Sequence, residues 1–412
     1  MQIFEITSIV MVLTAIFSYL NYRFLHMPTT IGVMFISLAL SLCFVVASWF
    51  GMNVGQKEVA RILQAIDFNE TLLHGMLAFL LFAGAMQIKL DDLKAQKGAI
   101  VILSTVGVIL STFIVGSLTW MVLQLLDIPT SYIYCLLFGS LISPTDPVAV
   151  LGILKTTGIA KSLETKIAGE SLFNDGIGVV IFLIILQLAQ GDHKVSVGEV
   201  AHLFGREAGG GAVLGFIVGF FAYRMLKQID NYQVEALITL ALVMGGYALA
   251  DRLHISGPIA MVVAGLLIGN HGRSFAMSDR TRERLDDFWE LIDEILNALL
   301  FMLIGLEVLI IPFTGDLLIA GGLTILVTLF ARWISVGGVV FCMQPFRPFS
   351  RGAVPIMTWG GLRGGISVAL ALAIPAVPER ITIITITYLI VIFSIAVQGM
   401  TLGKLARRYT SS

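Results

Sequence analysis

The sequence predicts an all-α polytopic membrane protein with about thirteen transmembrane helices, and three observations carry that expectation. Hydrophobic residues fill 57% of the 412 positions and charged residues 13%, with a mean hydropathy of +0.92, far too apolar for a water-soluble domain. Apolar stretches of roughly the 20 residues that cross a bilayer recur from Phe4 to Leu405, with no polar block between them large enough to fold separately. Lys and Arg gather in every second connecting loop, the bias that sets orientation. The expectation is one integral membrane domain over 1–412 and no soluble domain.

Taken in order, the spans fall at 3–22, 28–50, 69–88, 98–126, 130–154, 162–190, 206–227, 232–250, 256–270, 283–310, 316–342, 352–375 and 380–403. The first lacks a basic leader and a small-residue cleavage site, so it reads as a retained helix. One set of loops carries Arg23; Lys89, Lys94 and Lys97; Lys155, Lys161 and Lys166; Arg224 and Lys227; Arg273, Arg280, Arg282 and Arg284; Arg347 and Arg351; and Lys404, Arg407 and Arg408. The other set holds Lys57, Arg61, Lys194, Arg206, Arg252 and Arg380. Eighteen against six places the N-terminus outside and the C-terminus in the cytoplasm. Cys43, Cys135 and Cys342 all fall within spans, where packing is the expected role.

Two spans are broken near their middles. The fifth carries Pro144 and Pro147, each removing a backbone donor and crowding the preceding turn, so the helix should unwind around Thr145 and Asp146. The twelfth has Gly360, Gly361, Gly364 and Gly365 around Arg363, and each glycine weakens helix by about 1 kcal/mol relative to alanine. If helices 1 to 6 and 8 to 13 are inverted repeats, these breaks occupy equivalent places, as expected of broken helices crossing at a midplane transport site.

The sixth span, KIAGESLFNDGIGVV over 166–180, sets Glu170, Ser171, Asn174 and Asp175 inside apolar sequence. A charge at the centre of a bilayer helix costs roughly 2.5 to 3.5 kcal/mol, and such residues usually line an ion or substrate path. Glu170 and Asn174 are four apart, as are Ser171 and Asp175, so both pairs share one broad helix face. These oxygens, with backbone carbonyls freed at Thr145 and Asp146, suit a small monovalent cation such as Na⁺ or Li⁺. Desolvation favours the neutral form of a buried carboxylate, so proton and cation compete for it. Arg363 and Arg332 lie within spans and need partners. Glu170 is the expected partner of Arg363, leaving Asp175 free to titrate; the alternative locks Asp175 in an ion pair with Arg332.

SPTDPVAV, GESLFNDG and WGGLRGGISVAL, in that order, resemble the motifs of the monovalent cation:proton antiporter-1 family, in particular its prokaryotic NhaP-type sodium/proton antiporters. The resemblance covers nearly the whole chain. It implies a thirteen-helix fold of two inverted six-helix repeats, a core domain around 98–190 and 316–403, and dimerisation helices from 3–88 and 206–310. It also implies a homodimer in the cell (inner) membrane, without cofactor, serving pH homeostasis by electroneutral exchange of one Na⁺ or Li⁺ for one proton. Carried over, Asp175 is the ion and proton carrier, with Ser171 and the Thr145 backbone as further Na⁺ ligands. Asp146 resembles the residue stabilising the crossed half-helices; Asn174, Glu170 and Arg363 resemble the supporting network, and Arg332, in LFARWISV, is similar to a second family arginine. The alternatives are a K⁺/H⁺ antiporter of the same fold, a cation channel, and an intramembrane aspartyl protease using Asp146 and Asp175. The protease's Gly-x-Gly-Asp motif is absent, and no feature points to an enzyme or to nucleic acid.

Weaker signals remain. Asp286, Asp287, Glu290, Asp293 and Glu294, in RLDDFWELIDEILN, read equally as the wall of a cytoplasmic funnel or as a solvated helix start. Gly211, Gly215 and Gly219, and Gly265 and Gly269, have the spacing that lets membrane helices approach closely. His26, His74, His193, His202, His254 and His271 are scattered without metal spacing.

Overall fold

The computed structural model describes residues 3–49, 75–155, 157–191, 197–273, 277–309, 311, 314–345, 349–350 and 352–410. Among them the regular structure is helical throughout. Residues Lys57, Arg61, His74, His193, Lys194, Arg347 and Arg351 lie outside the described residues, as does the first part of the third predicted span.

Helices fall on all the predicted spans, though the total of thirteen rests partly on residues 50–74, outside the described set. They are α1 (Ile3–Leu20), α2 (Thr29–Trp49), α3 (Leu77–Gln87), α4 (Leu90–Leu125), α5 (Tyr132–Ile142), α6 (Pro147–Leu154) and α7 (Lys161–Gln190). Then come α8 (Gly198–Leu226), α9 (Tyr232–Arg252), α10 (Gly257–Leu267), α11 (Asp279–Glu307), α12 (Gly315–Met343), α13 (Ala353–Trp359), α14 (Gly365–Leu372) and α15 (Glu379–Tyr409). Seven described helices are long and apolar enough to cross a membrane.

Three boundaries lie six or more residues from the sequence reading. Helix α4 starts eight residues before the predicted 98, because LDDLKAQK forms a polar helical entry to the apolar run, with Asp91 and Asp92 at the positive end of the helix dipole. Helix α8 likewise begins ahead of 206, and α15 runs past 403 in an amphipathic turn ending in Arg407 and Arg408. Lys166 is no loop residue. It is buried on α7, its ammonium 4.1 Å from the centre of the Phe349 ring, an attraction that offsets part of its burial cost.

The spaced glycines act as packing surfaces. A methyl group added at Gly211 or Gly215 of α8 would strike Ser256, which caps α10, or Ala260 within it, and one at Gly219 would crowd Ala264. One added at Gly265 or Gly269 would strike Phe82, Ala85 or Met86 of α3. Backbone contact along α8, α10 and α3 therefore replaces side-chain interdigitation, as membrane helices require when no water drives them together. Elsewhere α4 packs on α5 and α12, α7 lies against α5, and α12 lies against α15. Those helices surround the two breaks.

Candidate functional site

Both predicted breaks are present, and they meet. Helix α5 ends at Ile142 and α6 starts at Pro147; α13 ends at Trp359 and α14 starts at Gly365. The extended segments are joined where the Asp146 amide donates to the Leu362 carbonyl at 2.8 Å. Four half-helix ends thus converge in the interior, two offering unpaired carbonyls and two offering unpaired amides.

Each carbonyl end receives an arginine. Arg363, 2% exposed, donates from Nη1 to the carbonyls of Ser143 at 2.6 Å and Pro144 at 2.7 Å, at the end of α5. Arg332 of α12 donates from Nε to the Met357 carbonyl in the last turn of α13 at 3.4 Å. A cation is favoured there because the helix dipole is negative at its C-terminus. The amide ends receive Asp146, which directly precedes Pro147. Its carboxylate also fills the space a side chain on Gly364 would need, at the start of α14, so one acid faces both positive ends.

The expected Glu170–Arg363 pair does not form. Glu170 is held by Arg332, with Nη2 donating to Oε2 at 3.0 Å and Nη1 to Oε1, a two-pronged contact in which both side chains are buried. Arg363 is turned away to the Ser143 and Pro144 carbonyls, which the proline break leaves without helical donors. Arg332 thus takes the partner expected of Arg363.

Asn174 and Ser171 tie α7 to the first break. Asn174 accepts from the Thr145 amide at 3.3 Å and donates from Nδ2 to Thr145 Oγ1 at 2.9 Å, and Thr145 Oγ1 lies 2.9 Å from Ser171 Oγ. All three residues are buried. Asp175 is 5% exposed, and among the described residues no hydrogen bond or salt bridge holds its carboxylate. The charges of Asp146 and Arg363 both reach it.

Asp175 stands at the inner end of a cavity of about 450 Å³. Thr145, Asp146 and Gly364 line the same end, and Lys89, Asp92, Lys161 and Glu164 stand towards its mouth. The acidic run on α11 divides. Glu290, Asp293 and Glu294 line this cavity, as the funnel reading expected, while Asp286 is bound by Arg273 and Asp287 lines a separate depression beside Arg280 and Arg284.

Two residues at this site went unrecognised in the sequence. Ser394 Oγ accepts from the Arg363 amide at 2.9 Å, and Gln398 Nε2 donates to the Trp359 carbonyl at 3.0 Å. Both sit where α15 widens to a π-type turn over Ser394–Gly399. Such turns commonly mark functional positions in helices. Two polar residues four apart in an apolar span were the available signal.

A family model described as "Sodium/hydrogen exchanger, transmembrane" matches residues 10–408. The Na(+)/H(+) antiporter NhaP of Pseudomonas aeruginosa is 50% identical over 408 residues, covering 98% of this chain and 96% of that protein. The Na(+)/H(+) antiporter NhaH of Halobacillus dabanensis is 33% identical over 378 residues, 90% of this chain and 91% of that one. The structure of the sodium proton antiporter MjNhaP1 from Methanocaldococcus jannaschii matches with a TM-score of 0.76 at 19% identity, covering 98% of each chain. That last likeness is one of fold.

Proposed function

The chain belongs to the sodium/hydrogen exchanger family, and we infer that it exchanges Na⁺ or Li⁺ for H⁺ across a membrane, with Asp175 binding cation and proton in turn. The observation that carries this reading is the state of Asp175: a buried carboxylate that no described residue holds by a hydrogen bond or salt bridge, at the end of an acid-walled cavity and beside a cluster of hydroxyl and amide oxygens. A buried carboxylate without a counter-charge is costly, and a proton or a bound cation relieves that cost equally well. Only one of them fits at a time. Exchange follows if the site changes sides only when Asp175 is neutralised.

Thr145, Ser171 and Asp146 supply the remaining oxygens for the cation. Asn174 fixes Thr145 in place, Glu170 and Arg332 lock α7 to α12, and Arg363 stabilises the end of α5. The helices around the breaks, within 98–190 and 316–403, form the moving core in this reading, and those within 3–88 and 206–310 form the dimerisation body. The protein is a homodimer in the cell (inner) membrane, needs no resident cofactor, catalyses no bond chemistry and serves pH homeostasis. The loop bias sets the N-terminus outside and the C-terminus in the cytoplasm, which makes the cavity a cytoplasmic funnel.

In proteoliposomes with an imposed pH gradient, Na⁺ or Li⁺ added on either side should release the stored gradient, K⁺ should do so poorly, and Asp175→Asn should abolish the response. Substantial Na⁺-driven proton movement in Asp175→Asn would overturn the assignment.

A further inference from the structure

One face of α11 borders the cavity, and Glu290, Asp293, Asn297 and Leu300 recur along it every three or four residues. Helix α11 packs on α3 and on α14. The end of the Leu300 side chain occupies the space a side chain on Gly365 would need, and Gly364, one residue earlier, stands against the Asp146 carboxylate. Leu300 therefore marks the level of the second break on α11. Asn297 is one turn away from it, about 4.5 Å along the helix axis, and Asp293 is about 10 Å away.

Asn297 is the unusual member of this stripe. It is 3% exposed, next to the buried Ala298, and its Nδ2 donates to the Asp293 carbonyl at 2.9 Å. A backbone carbonyl can only accept, so the amide nitrogen must face it and Oδ1 is the polar atom left over. Among the described residues none donates a hydrogen bond to Oδ1. Buried polar atoms are nearly always satisfied, and an acceptor bordering a cavity is satisfied by what the cavity admits. Asp175, equally buried and held by no hydrogen bond or salt bridge from a described residue, borders the same cavity on α7. The charge of Asp146, beside Asp175, also reaches Asp293, so the two walls are in electrostatic contact.

We propose that Asn297 Oδ1 and the Asp293 carboxylate form a waiting station for a partly hydrated Na⁺ or Li⁺, held on the α11 wall before transfer to Asp175. The proposal deepens the antiport reading above and rests on it. An ion bound for a buried site must exchange water for protein oxygens, and each site on its way must bind firmly enough to admit it and weakly enough to release it. One charged and one neutral ligand meet that condition. In the antiport reading α11 belongs to the dimerisation body, so the station stays behind when the core moves and its charge does not enter the cycle. It serves only the face to which the cavity opens.

The test uses full-length protein in proteoliposomes of known orientation, with the half-saturating Na⁺ concentration measured separately at each face. Asn297→Leu, close in size and without polar atoms, should raise the value at the cavity face at least about threefold and leave the other face within about twofold. Asp293→Asn should shift the same face further, and it keeps the test decisive if the leucine variant does not fold. Asn297→Asp, which keeps an oxygen, should not raise the value. Glu294→Gln, an acid of the same cavity wall beside Asp293, should move it less than Asp293→Asn does; an equal effect would mean a diffuse field in place of a station. Equal shifts at both faces, or none at either, would also overturn the station. If the unmodified protein shows no Na⁺/H⁺ exchange, the antiport reading itself fails; if it exchanges normally and the variants are symmetric, only the station fails.

Discussion

Glu170 on α7 and Arg332 on α12 meet in a two-pronged ion pair, each guanidinium nitrogen taking one carboxylate oxygen, while Arg332 Nε turns to the Met357 carbonyl at 3.4 Å. Arg332 thus binds three elements at once: its own helix, the carrier helix α7 and the first half of the second broken helix. Planar, forked donor geometry makes this possible, and a lysine could not reproduce it. Removing one member strands the other in an apolar interior at a cost of about 3 to 5 kcal/mol. Glu170→Gln and Arg332→Gln should each lower thermal stability, and the double variant should be much less destabilised than their sum. The same cycle between positions 170 and 363 should show little coupling. A strong 170–363 coupling, measured by melting in detergent, would mean that the pairing is misassigned.

Arg363 has a different task, and its variants should separate transport from folding. Its Nη1 bonds to the Ser143 and Pro144 carbonyls replace helical bonds that the break cannot make. Hydrogen bonds to a charged group contribute about 1.5 to 3 kcal/mol each. Arg363→Lys keeps the charge and can donate twice from one nitrogen, as Nη1 does, but on a shorter side chain, so exchange should fall severalfold with modest loss of stability, whereas Arg363→Ala should lose both. Transport in Arg363→Ala at the level of the unmodified protein would show that α5 holds its end without this residue.

The glycines of the second break differ in what they make room for. A methyl group at Gly364 would fall on the Asp146 carboxylate, which cannot retreat without leaving the two helix N-termini it faces. One at Gly365 would meet the flexible end of Leu300. Overpacking costs about 1 to 3 kcal/mol where neighbours cannot yield and less where they can. Gly364→Ala should therefore abolish exchange, and Gly365→Ala should retain a measurable fraction of it. The reverse order in a proteoliposome assay would place Asp146 away from the crossing.

The breaks were readable in the chain because Pro144, Pro147 and the glycines around Arg363 act locally, through backbone donors and propensity. The acids of the sixth span were equally plain, since charge within an apolar run has no other reading as economical. Partner choice was not readable. Glu170 had two buried arginines to choose from, and the outcome depends on where the break carbonyls of Ser143 and Pro144 point, which is a property of the crossing. The acidic stretch of α11 was ambiguous for a related reason: helical periodicity turns Asp287 to another depression, and Asp286 is taken by Arg273, a residue from a preceding segment. Ser394 and Gln398 looked like ordinary polar residues in a span until the π-type turn brought them against Arg363 and Trp359.

Charge accounting around Asp175 leads to the last prediction. Glu170 is matched by Arg332, and Asp146 faces two positive helix ends, with Arg363 donating to the neighbouring carbonyls of the same break. Asn174, the immediate neighbour of the carrier, is a neutral amide engaged on both of its ends with Thr145. That leaves Asp175 as the acid at the crossing that is free to be neutralised. A site carrying one Na⁺ then has the same net charge as a site carrying one proton, and a full cycle moves none. An exchange displacing one net charge would gain about 2.3 kcal/mol per 100 mV, enough to change the sustainable ion gradient roughly fiftyfold. With the membrane potential clamped by K⁺ and valinomycin, the rate and the final proton gradient should both stay the same between 0 and about 100 mV of either sign. A gradient that follows the imposed voltage would require a second titrating acid, and Asp146 would be the first residue to examine.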